Sequence, residues 1–367
     1  MAVQSEPRRK KPALLGAVAL VVIAALIALY CWRNTNILGS DSFCGGRLGS
    51  NGVQSALDTR GRVSKMAEQG GEGRPEFRCT VQRTSLLAGG DDLKMTVRTA
   101  TGEGAFPFTT AVWKDPAQRS YFKDGATGAV SGRGGYVVLP QACWAKVGNI
   151  QGSAVVHPAQ HTVATVEATM EQGTADRMGL ARLLVDAART VAKQAGCDTP
   201  SLRAPSALSE PGDERPTRAR EVCGLTGFTL PPDSVITGVA EPGQERLNHQ
   251  SGTWTCDLAL AGSGEARLSL AATSEAAFVR AALDEPGAFT KLPGGRGLAS
   301  PRQEAVVHCA GGDVYFTARW NTAYGNALRK HTGGDVSKAA DLRRATLQNF
   351  LNATAASHSC PNVTLGK

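Results

Sequence analysis

Two histidines end the same tetrapeptide in distant parts of the chain, and they are the candidate ligand residues of this sequence. Residues 154–157 and residues 305–308 both read Ala-Val-Val-His. Since an imidazole can bind metals and anions, His157 and His308 could mark one site in each half of the chain. His157 and His161 also have the spacing of two zinc ligands, but no free cysteine pair accompanies them. The sequence therefore predicts no metal site and no cofactor.

Motifs of well-known enzyme classes are absent from the sequence. Serine hydrolases place G-x-S-x-G between a strand and a helix, and the chain has no such pentapeptide. The glycine-rich run from Gly132 to Gly135 lacks the lysine of a phosphate-binding loop. We therefore expect no catalytic residues.

Cysteines are the most informative residues of the chain. There are nine, and one of them, Cys31, lies in an apolar segment near the N-terminus. An even number of remaining cysteines is typical of disulfides in an oxidising compartment, although eight cysteines allow 105 pairings. The predicted disulfide cysteines are Cys44, Cys79, Cys143, Cys197, Cys223, Cys256, Cys309 and Cys360.

The order of motifs indicates an internal duplication. Each half begins with Cys-Gly, continues with a cysteine-containing strand of alternating polarity, and then shows Leu-Pro and Ala-Val-Val-His. Each half ends in an amphipathic helix followed by a cysteine. These elements predict an α+β fold with two repeated domains, each an antiparallel sheet with a C-terminal helix and two disulfides.

The duplication also reduces the number of plausible disulfide pairings. A hairpin centred on Ile150 would place Cys143 opposite His157, beside the position that Cys309 has in the second unit. Both cysteines could then reach the cysteine at the end of their own helix. The hypothesis is four bonds local to their units: Cys44–Cys79, Cys143–Cys197, Cys223–Cys256 and Cys309–Cys360.

Composition divides the rest of the chain. The first repeat covers 42–198 and the second covers 221–361, with a proline-rich linker over 199–220 and a tail over 362–367. The glycine-rich loop 100–135 has no counterpart of equal length in the second repeat, so it either forms a further hairpin or is mobile.

The N-terminal segment predicts a membrane anchor. Residues 13–32, from Ala13 to Trp32, carry no charge and are long enough to cross a bilayer of about 30 Å. Basic residues precede the segment, so residues 1–12 would be a cytoplasmic tail. A tether over 33–41 would then lead to two extracytoplasmic domains, with the cytoplasmic membrane as a partner.

The motifs Cys223-Gly224-Leu225 and Trp254-Thr255-Cys256 resemble those of a family of uncharacterised actinobacterial envelope proteins and lipoproteins. The pattern is also loosely similar to the extracellular sensor domains of mycobacterial receptor kinases, which are small disulfide-stapled α+β modules. The resemblance covers each repeat once, giving two copies in tandem. It departs from the lipoproteins because Cys31 follows the bulky Tyr30, and from the kinases because no kinase domain precedes the anchor. It implies a binding or sensing module and carries over no catalytic residues.

These observations predict a membrane-anchored, extracytoplasmic, noncatalytic binding or sensing module for an unidentified envelope ligand or protein partner. The formal net charge is +8, but no basic block interleaves with aromatic residues, so we expect no nucleic-acid partner. Two alternatives stay open: an envelope hydrolase with dispersed catalytic residues, and a structural subunit of a membrane complex.

Overall fold

The computed structural model of the chain describes residues 11–34, 39–58, 61–71, 73–84, 92–106, 110–157, 162–218, 220–231, 244–250, 252–260, 263–284 and 289–366. The α-helices within these ranges are α1 (Lys11–Asn34), α2 (Ser50–Leu57), α3 (Gln141–Trp144), α4 (Arg177–Gln194), α5 (Ala276–Leu283), α6 (Thr322–His331) and α7 (Val336–Thr354). The strands of the first half are β1 (Ser42–Phe43), β2 (Leu48–Gly49), β3 (Arg62–Gln69), β4 (Arg78–Thr84), β5 (Leu93–Glu103), β6 (Ser120–Lys123), β7 (Gly128–Ser131), β8 (Gly134–Val138), β9 (Asn149–Gln151), β10 (Ala154–Val156), β11 (Thr162–Gln172) and β12 (Ala207–Leu208). Those of the second half are β13 (Arg215–Pro216), β14 (Gln244–Gln250), β15 (Thr253–Leu260), β16 (Ser263–Thr273), β17 (Thr290–Lys291), β18 (Gly297–Ser300), β19 (Glu304–Cys309) and β20 (Gly312–Trp320).

The predicted α+β class is confirmed by two eight-stranded antiparallel sheets. Sheet 1 has the order β12-β6-β7-β8-β11-β5-β4-β3, and sheet 2 has the order β13-β14-β15-β16-β20-β19-β18-β17. Cys79 pairs with Val97 in sheet 1, as Cys256 pairs with Leu270 in sheet 2. Strands β4, β5, β11 and β8 therefore take the places of β15, β16, β20 and β19, and the two sheets repeat one topology.

Alternating side chains build the core of each repeat. In β15, Trp254, Cys256 and Leu258 point to one face of the sheet and are buried. Helices α6 and α7 pack against this sheet, on β16 and β20. In the first repeat α4 packs on β7, β8 and β11 through a stripe that includes Leu180 and Leu184. The terminal helices thus cover one face of each sheet.

All four predicted disulfides are present. The bonds are Cys44–Cys79, Cys143–Cys197, Cys223–Cys256 and Cys309–Cys360. Each closes a loop of 33 to 54 residues within one half of the chain. By chain entropy such a loop stabilises the fold by about 4 kcal/mol.

The proposed equivalence of the two Ala-Val-Val-His segments is wrong. Residues 305–308 lie in β19 inside sheet 2, whereas residues 154–156 form β10, which pairs only with β9 in a separate hairpin. The turn of that hairpin follows Gln151, which pairs with Ala154, and is not centred on Ile150. The pairing of Cys143 was still predicted correctly. Strand β8 takes the place of β19, and α3, which carries Cys143, follows β8 directly. Cys143 therefore lies near the place that Cys309 has at the end of β19.

The predicted signal-anchor is also wrong, and with it the placement as a single-pass membrane protein with a cytoplasmic tail and extracytoplasmic domains. Helix α1 covers the apolar segment Ala13 to Trp32. Among the residues that the structure describes, however, no helix is both long enough and apolar enough to cross a membrane. Alanine and leucine, which are frequent in this segment, favour a helix whether or not it crosses a membrane.

The linker and the long loop both belong to the sheets. Two linker segments become edge strands: β12 pairs with β6 in sheet 1, and β13 pairs with β14 in sheet 2. The loop 100–135 carries the β6–β7 hairpin, which was one of the two alternatives for it. It also carries two short 3₁₀ turns, Ala111–Trp113 and Pro116–Gln118.

These two turns join the repeats. The first packs on β8 and β11 of sheet 1, and the second packs on β14, β15 and β16 of sheet 2. Helix α5 of the second repeat packs in turn on β19 and β20, and its Phe278 contacts Phe106 and Trp113 of the first repeat. The remaining face of each sheet is therefore covered by the other repeat, and the two halves share one buried interface.

Candidate functional site: an arginine-lined cleft

A cleft with a volume of about 870 Å³ lies where β20 ends. Its walls are the turn between β18 and β19, helices α6 and α7, and the end of β5 from the first repeat. Cavities of about 300–1,000 Å³ hold organic small molecules in proteins. The lining residues include four arginines: Arg302, Arg319, Arg329 and Arg343. We call this the arginine cleft.

Strand β20 supplies Arg319 and a buried carboxylate fixes its position. The Arg319 guanidinium donates through one terminal nitrogen to Oε1 of Glu304, whose side chain is fully buried. Arg319 itself keeps 30% of its side chain exposed toward the cleft. Because a buried carboxylate needs a partner, this ion pair holds the arginine at the cleft wall.

Helices α6 and α7 supply the opposite wall. The guanidinium carbon of Arg343 lies 5.7 Å from the centre of the Trp320 ring, which is the distance of a cation–π contact. A Cβ at Gly325 would approach a terminal nitrogen of Arg343 to 3.2 Å. Glycine at this position of α6 therefore leaves the room that the guanidinium occupies. Arg329 lies on the last turn of α6 and donates to Asn326.

Three N–H donors of these side chains have no hydrogen-bond partner in the structure. They are Nε of Arg319, Nε1 of Trp320 and Nε of Arg343, and all three are screened from solvent. A buried donor without a partner costs about 1–3 kcal/mol. Since these three nitrogens are screened from solvent, a ligand in the cleft would bind the exposed parts of the arginines: Arg302 keeps 50% of its side chain exposed, and Arg319 keeps 30%. Guanidinium N–H groups bind carboxylates and phosphates.

The first repeat contributes one acidic residue to the cleft. Oε2 of Glu103 lies 3.8 Å from a terminal nitrogen of Arg302, and both side chains are at least half exposed. Exposed pairs of this kind contribute little to stability. Glu103 and Glu304 thus pair with two of the four arginines, and Glu103 brings the two repeats together at the cleft edge.

Helix α6 is held in place by an asparagine cap. The Oδ1 atom of Asn321 accepts hydrogen bonds from the backbone nitrogens of Tyr324, at 2.9 Å, and Arg267, at 3.0 Å. Replacing Asn321 by alanine should lower the free energy of unfolding by about 1 kcal/mol, because an N-cap acceptor is lost. Urea unfolding would measure this. Asn321→Asp keeps the acceptor and should stay near wild type; equal losses in both variants would contradict the cap.

The first repeat has a cleft at the corresponding place, between the β7–β8 turn, the end of β11 and the start of α4. It is about 660 Å³, and its charged lining residues are Arg83, Arg177, Asp58 and Asp176. Arg177 also pairs with Glu210 at 2.8 Å. The acidic and basic groups balance there, so of these two clefts only the one in the second repeat has an excess of basic lining residues.

The histidines identified in the sequence do not meet. His157 is exposed after β10, and His308 is exposed on β19, where Nδ1 lies 2.7 Å from Oδ1 of Asp313. His161 lies outside the described residues. Within the described part of the chain no group of His, Cys, Asp and Glu residues could hold a metal ion.

Sequence reasoning missed the arginine cleft. Its arginines come from a turn, a strand and two helices, and the acidic partner comes from the other repeat, so no spacing in the sequence joins them. One usable signal was present: Trp320 follows Arg319 directly at the end of a predicted strand.

Comparison with known proteins gave no matching family model, no similar curated protein and no similar solved structure. The similarity to actinobacterial envelope proteins stays a prediction that rests on the cysteine motifs.

Proposed function

We propose that this chain is a noncatalytic binding protein whose arginine cleft holds an anionic ligand. The observation that carries the proposal is the grouping of four arginines around one cleft whose lining includes a single carboxylate, Glu103. Guanidinium groups at these positions favour a carboxylate or a phosphate.

The lining residues also argue against catalysis in this cleft. They include no serine, cysteine, histidine or aspartate, and their one carboxylate, Glu103, pairs with Arg302. Nucleophilic catalysis needs a nucleophile beside a base, and general acid–base catalysis needs a group that titrates near the working pH. Arginine stays protonated and does neither. Binding is therefore the activity that this set of side chains supports.

The test is isothermal titration of the full chain with inorganic phosphate, pyrophosphate and citrate at constant ionic strength. Arg343→Ala should weaken binding about tenfold to a hundredfold, since hydrogen bonds to charged groups contribute about 1.5–3 kcal/mol. Arg343→Lys keeps the charge but loses the planar pair of donors, so it should fall between wild type and alanine.

Arg344→Ala is the matched control. Arg344 is the next residue of α7, pairs with Asp341 at 3.6 Å and does not line the cleft. Arg344→Ala removes the same formal charge as Arg343→Ala but no side chain that lines the cleft, so we expect wild-type affinity. Equal weakening by both alanine variants would show charge attraction without a site, and no binding of any of the three anions would refute the proposal.

A further inference from the structure

The arginine cleft has an apolar wall that an inorganic anion would leave unused. Val336, Ala339 and Ala340 line it from the first turns of α7, at positions i, i+3 and i+4 of one helix face. Ala318 and the Trp320 ring continue the wall on β20. Polar donors and apolar surface thus face the same space.

Val336 is the most exposed large apolar side chain among the described residues. It keeps 74% of its surface accessible, against 69% for Leu20, the next highest value. Single exposed apolar residues are common on protein surfaces. This one lies at the edge of a cleft that four arginines also line, so exposed apolar and cationic groups occur at one place.

The cleft is also large for a small ion. Its volume of about 870 Å³ lies near the upper end of the range for organic ligands. An inorganic anion would satisfy some donors and leave the wall of α7 in contact with water.

We propose that the ligand is an amphiphilic anion: a phosphate or carboxylate head that binds the arginines, joined to an apolar group that covers Val336, Ala339 and Trp320. This inference rests on the proposed anion-binding function and names the class of ligand for the same cleft. The head supplies acceptors for the N–H donors, and the apolar group removes the α7 wall from water.

The experiment is a titration of the full chain with methyl, ethyl and butyl phosphate, which carry the same head. Full burial of a methylene strengthens binding at most about fourfold. In an open cleft we expect about twofold per methylene, so butyl phosphate should bind about tenfold more tightly than methyl phosphate.

Val336→Ser should abolish most of this chain-length dependence and weaken methyl phosphate binding least of the three. Because the side chain is 74% exposed, the substitution removes little packing. Met66→Ser is the control: Met66 is 57% exposed on β3, outside the cleft, and its loss should keep the dependence. Equal affinity for methyl, ethyl and butyl phosphate would overturn the proposal of an amphiphilic ligand, but the proposal of anion binding by the cleft would stand. No binding of any alkyl phosphate, when phosphate, pyrophosphate or citrate does bind, would overturn the amphiphile alone. No binding of any anion in either series would refute both proposals.

Lipid vesicles distinguish the two sources of such a ligand, a membrane lipid and a free amphiphile. Binding to phosphatidylglycerol vesicles that butyl phosphate displaces would identify a lipid as the source of the amphiphile. Butyl phosphate binding without vesicle binding would identify a free amphiphile. Either result supports the ligand class, because both require the same head and apolar group.

Discussion

The wild-type chain is expected to lose about 4 kcal/mol of its free energy of unfolding between about pH 4 and pH 7, and Asp257→Asn is expected to remove this loss. Asp257 lies on β15 and is buried at the interface between the repeats. The pKa of this carboxyl is raised from 3.8 to about 7, mainly by burial and to a smaller extent by nearby Asp115. Hydrogen bonds from Ser269 and from the backbone of Ala117, together with Arg267, act in the opposite direction.

The sign of the effect follows from proton binding. Between the two pKa values the folded chain holds a proton on Asp257 that the unfolded chain has released. The free energy of unfolding contributed by this group therefore falls as pH rises from about 4 to about 7, and it is constant outside that range. Each pKa unit corresponds to about 1.4 kcal/mol, which gives the expected total.

Asparagine can keep both hydrogen bonds of the site. Oδ2 of Asp257 accepts from the backbone nitrogen of Ala117 at 2.9 Å, and Oδ1 accepts from the hydroxyl of Ser269 at 2.6 Å. The amide oxygen of asparagine can keep the first bond, and its NH₂ group can donate to the Ser269 hydroxyl, which is both donor and acceptor.

Urea unfolding at several pH values between 4 and 8 measures the difference between wild type and variant. Asp186→Asn is the control, because Asp186 is 63% exposed on α4 and pairs only locally with Arg189. Its pH profile should follow that of wild type. Parallel profiles for wild type and Asp257→Asn would show that Asp257 is already ionised in the folded chain.

Asp257 also shows where sequence reasoning stops. The alternation in β15 correctly placed Cys256 on the core side, and it placed Thr255 and Asp257 on the opposite, polar side. A polar strand face normally contacts water. Here the second 3₁₀ turn of the first repeat covers it, and Thr255 and Asp257 are both buried. Ala117 of this turn precedes Asp257 by 140 residues, and the sequence of β15 does not indicate that the turn covers it.

The disulfides were predictable for the opposite reason. Each bond joins residues of one repeat, and the same order of elements occurs twice. A pairing proposed for one repeat could therefore be checked against the other repeat. The arginine cleft has neither advantage. Arg302, Arg319 and Arg343 lie on different elements, and Glu103 belongs to the other repeat. The first repeat carries a charge-balanced cleft at the same place, so the duplication offered no second example.

Trp113→Ala is expected to lower the free energy of unfolding by about 4 kcal/mol and to uncouple the two repeats. Trp113 is 1% exposed. It stacks on Tyr136 of its own repeat and meets Phe278 of α5 edge-on, with ring centres 6.0 Å apart. Truncation of a buried tryptophan typically costs about 3–5 kcal/mol, and here the cavity opens between the repeats.

The polar end of the ring adds to the loss. Nε1 of Trp113 donates to Oε1 of Glu167 at 3.0 Å, and the hydroxyl of Thr110 donates to the same oxygen at 2.6 Å. Glu167 is 1% exposed, so removing one donor leaves a buried carboxylate less well compensated. Trp113→Phe keeps most of the ring packing but not this donor, and it should lose less than the alanine variant.

Urea unfolding followed by fluorescence and by circular dichroism measures both effects. If Trp113 couples the repeats, the alanine variant should unfold with transitions that no longer coincide between the two probes. Trp144→Ala is the matched control: Trp144 is 7% exposed, donates to the carbonyl of Leu139 at 2.8 Å and belongs to the core of the first repeat. Trp144→Ala should lower the free energy of unfolding of the first repeat, but it should not weaken the contacts between the two repeats. Coincident transitions in Trp113→Ala would mean that other contacts between the repeats, among them the hydrogen bonds of Asp257 and Asn248, hold the interface without the aromatic cluster.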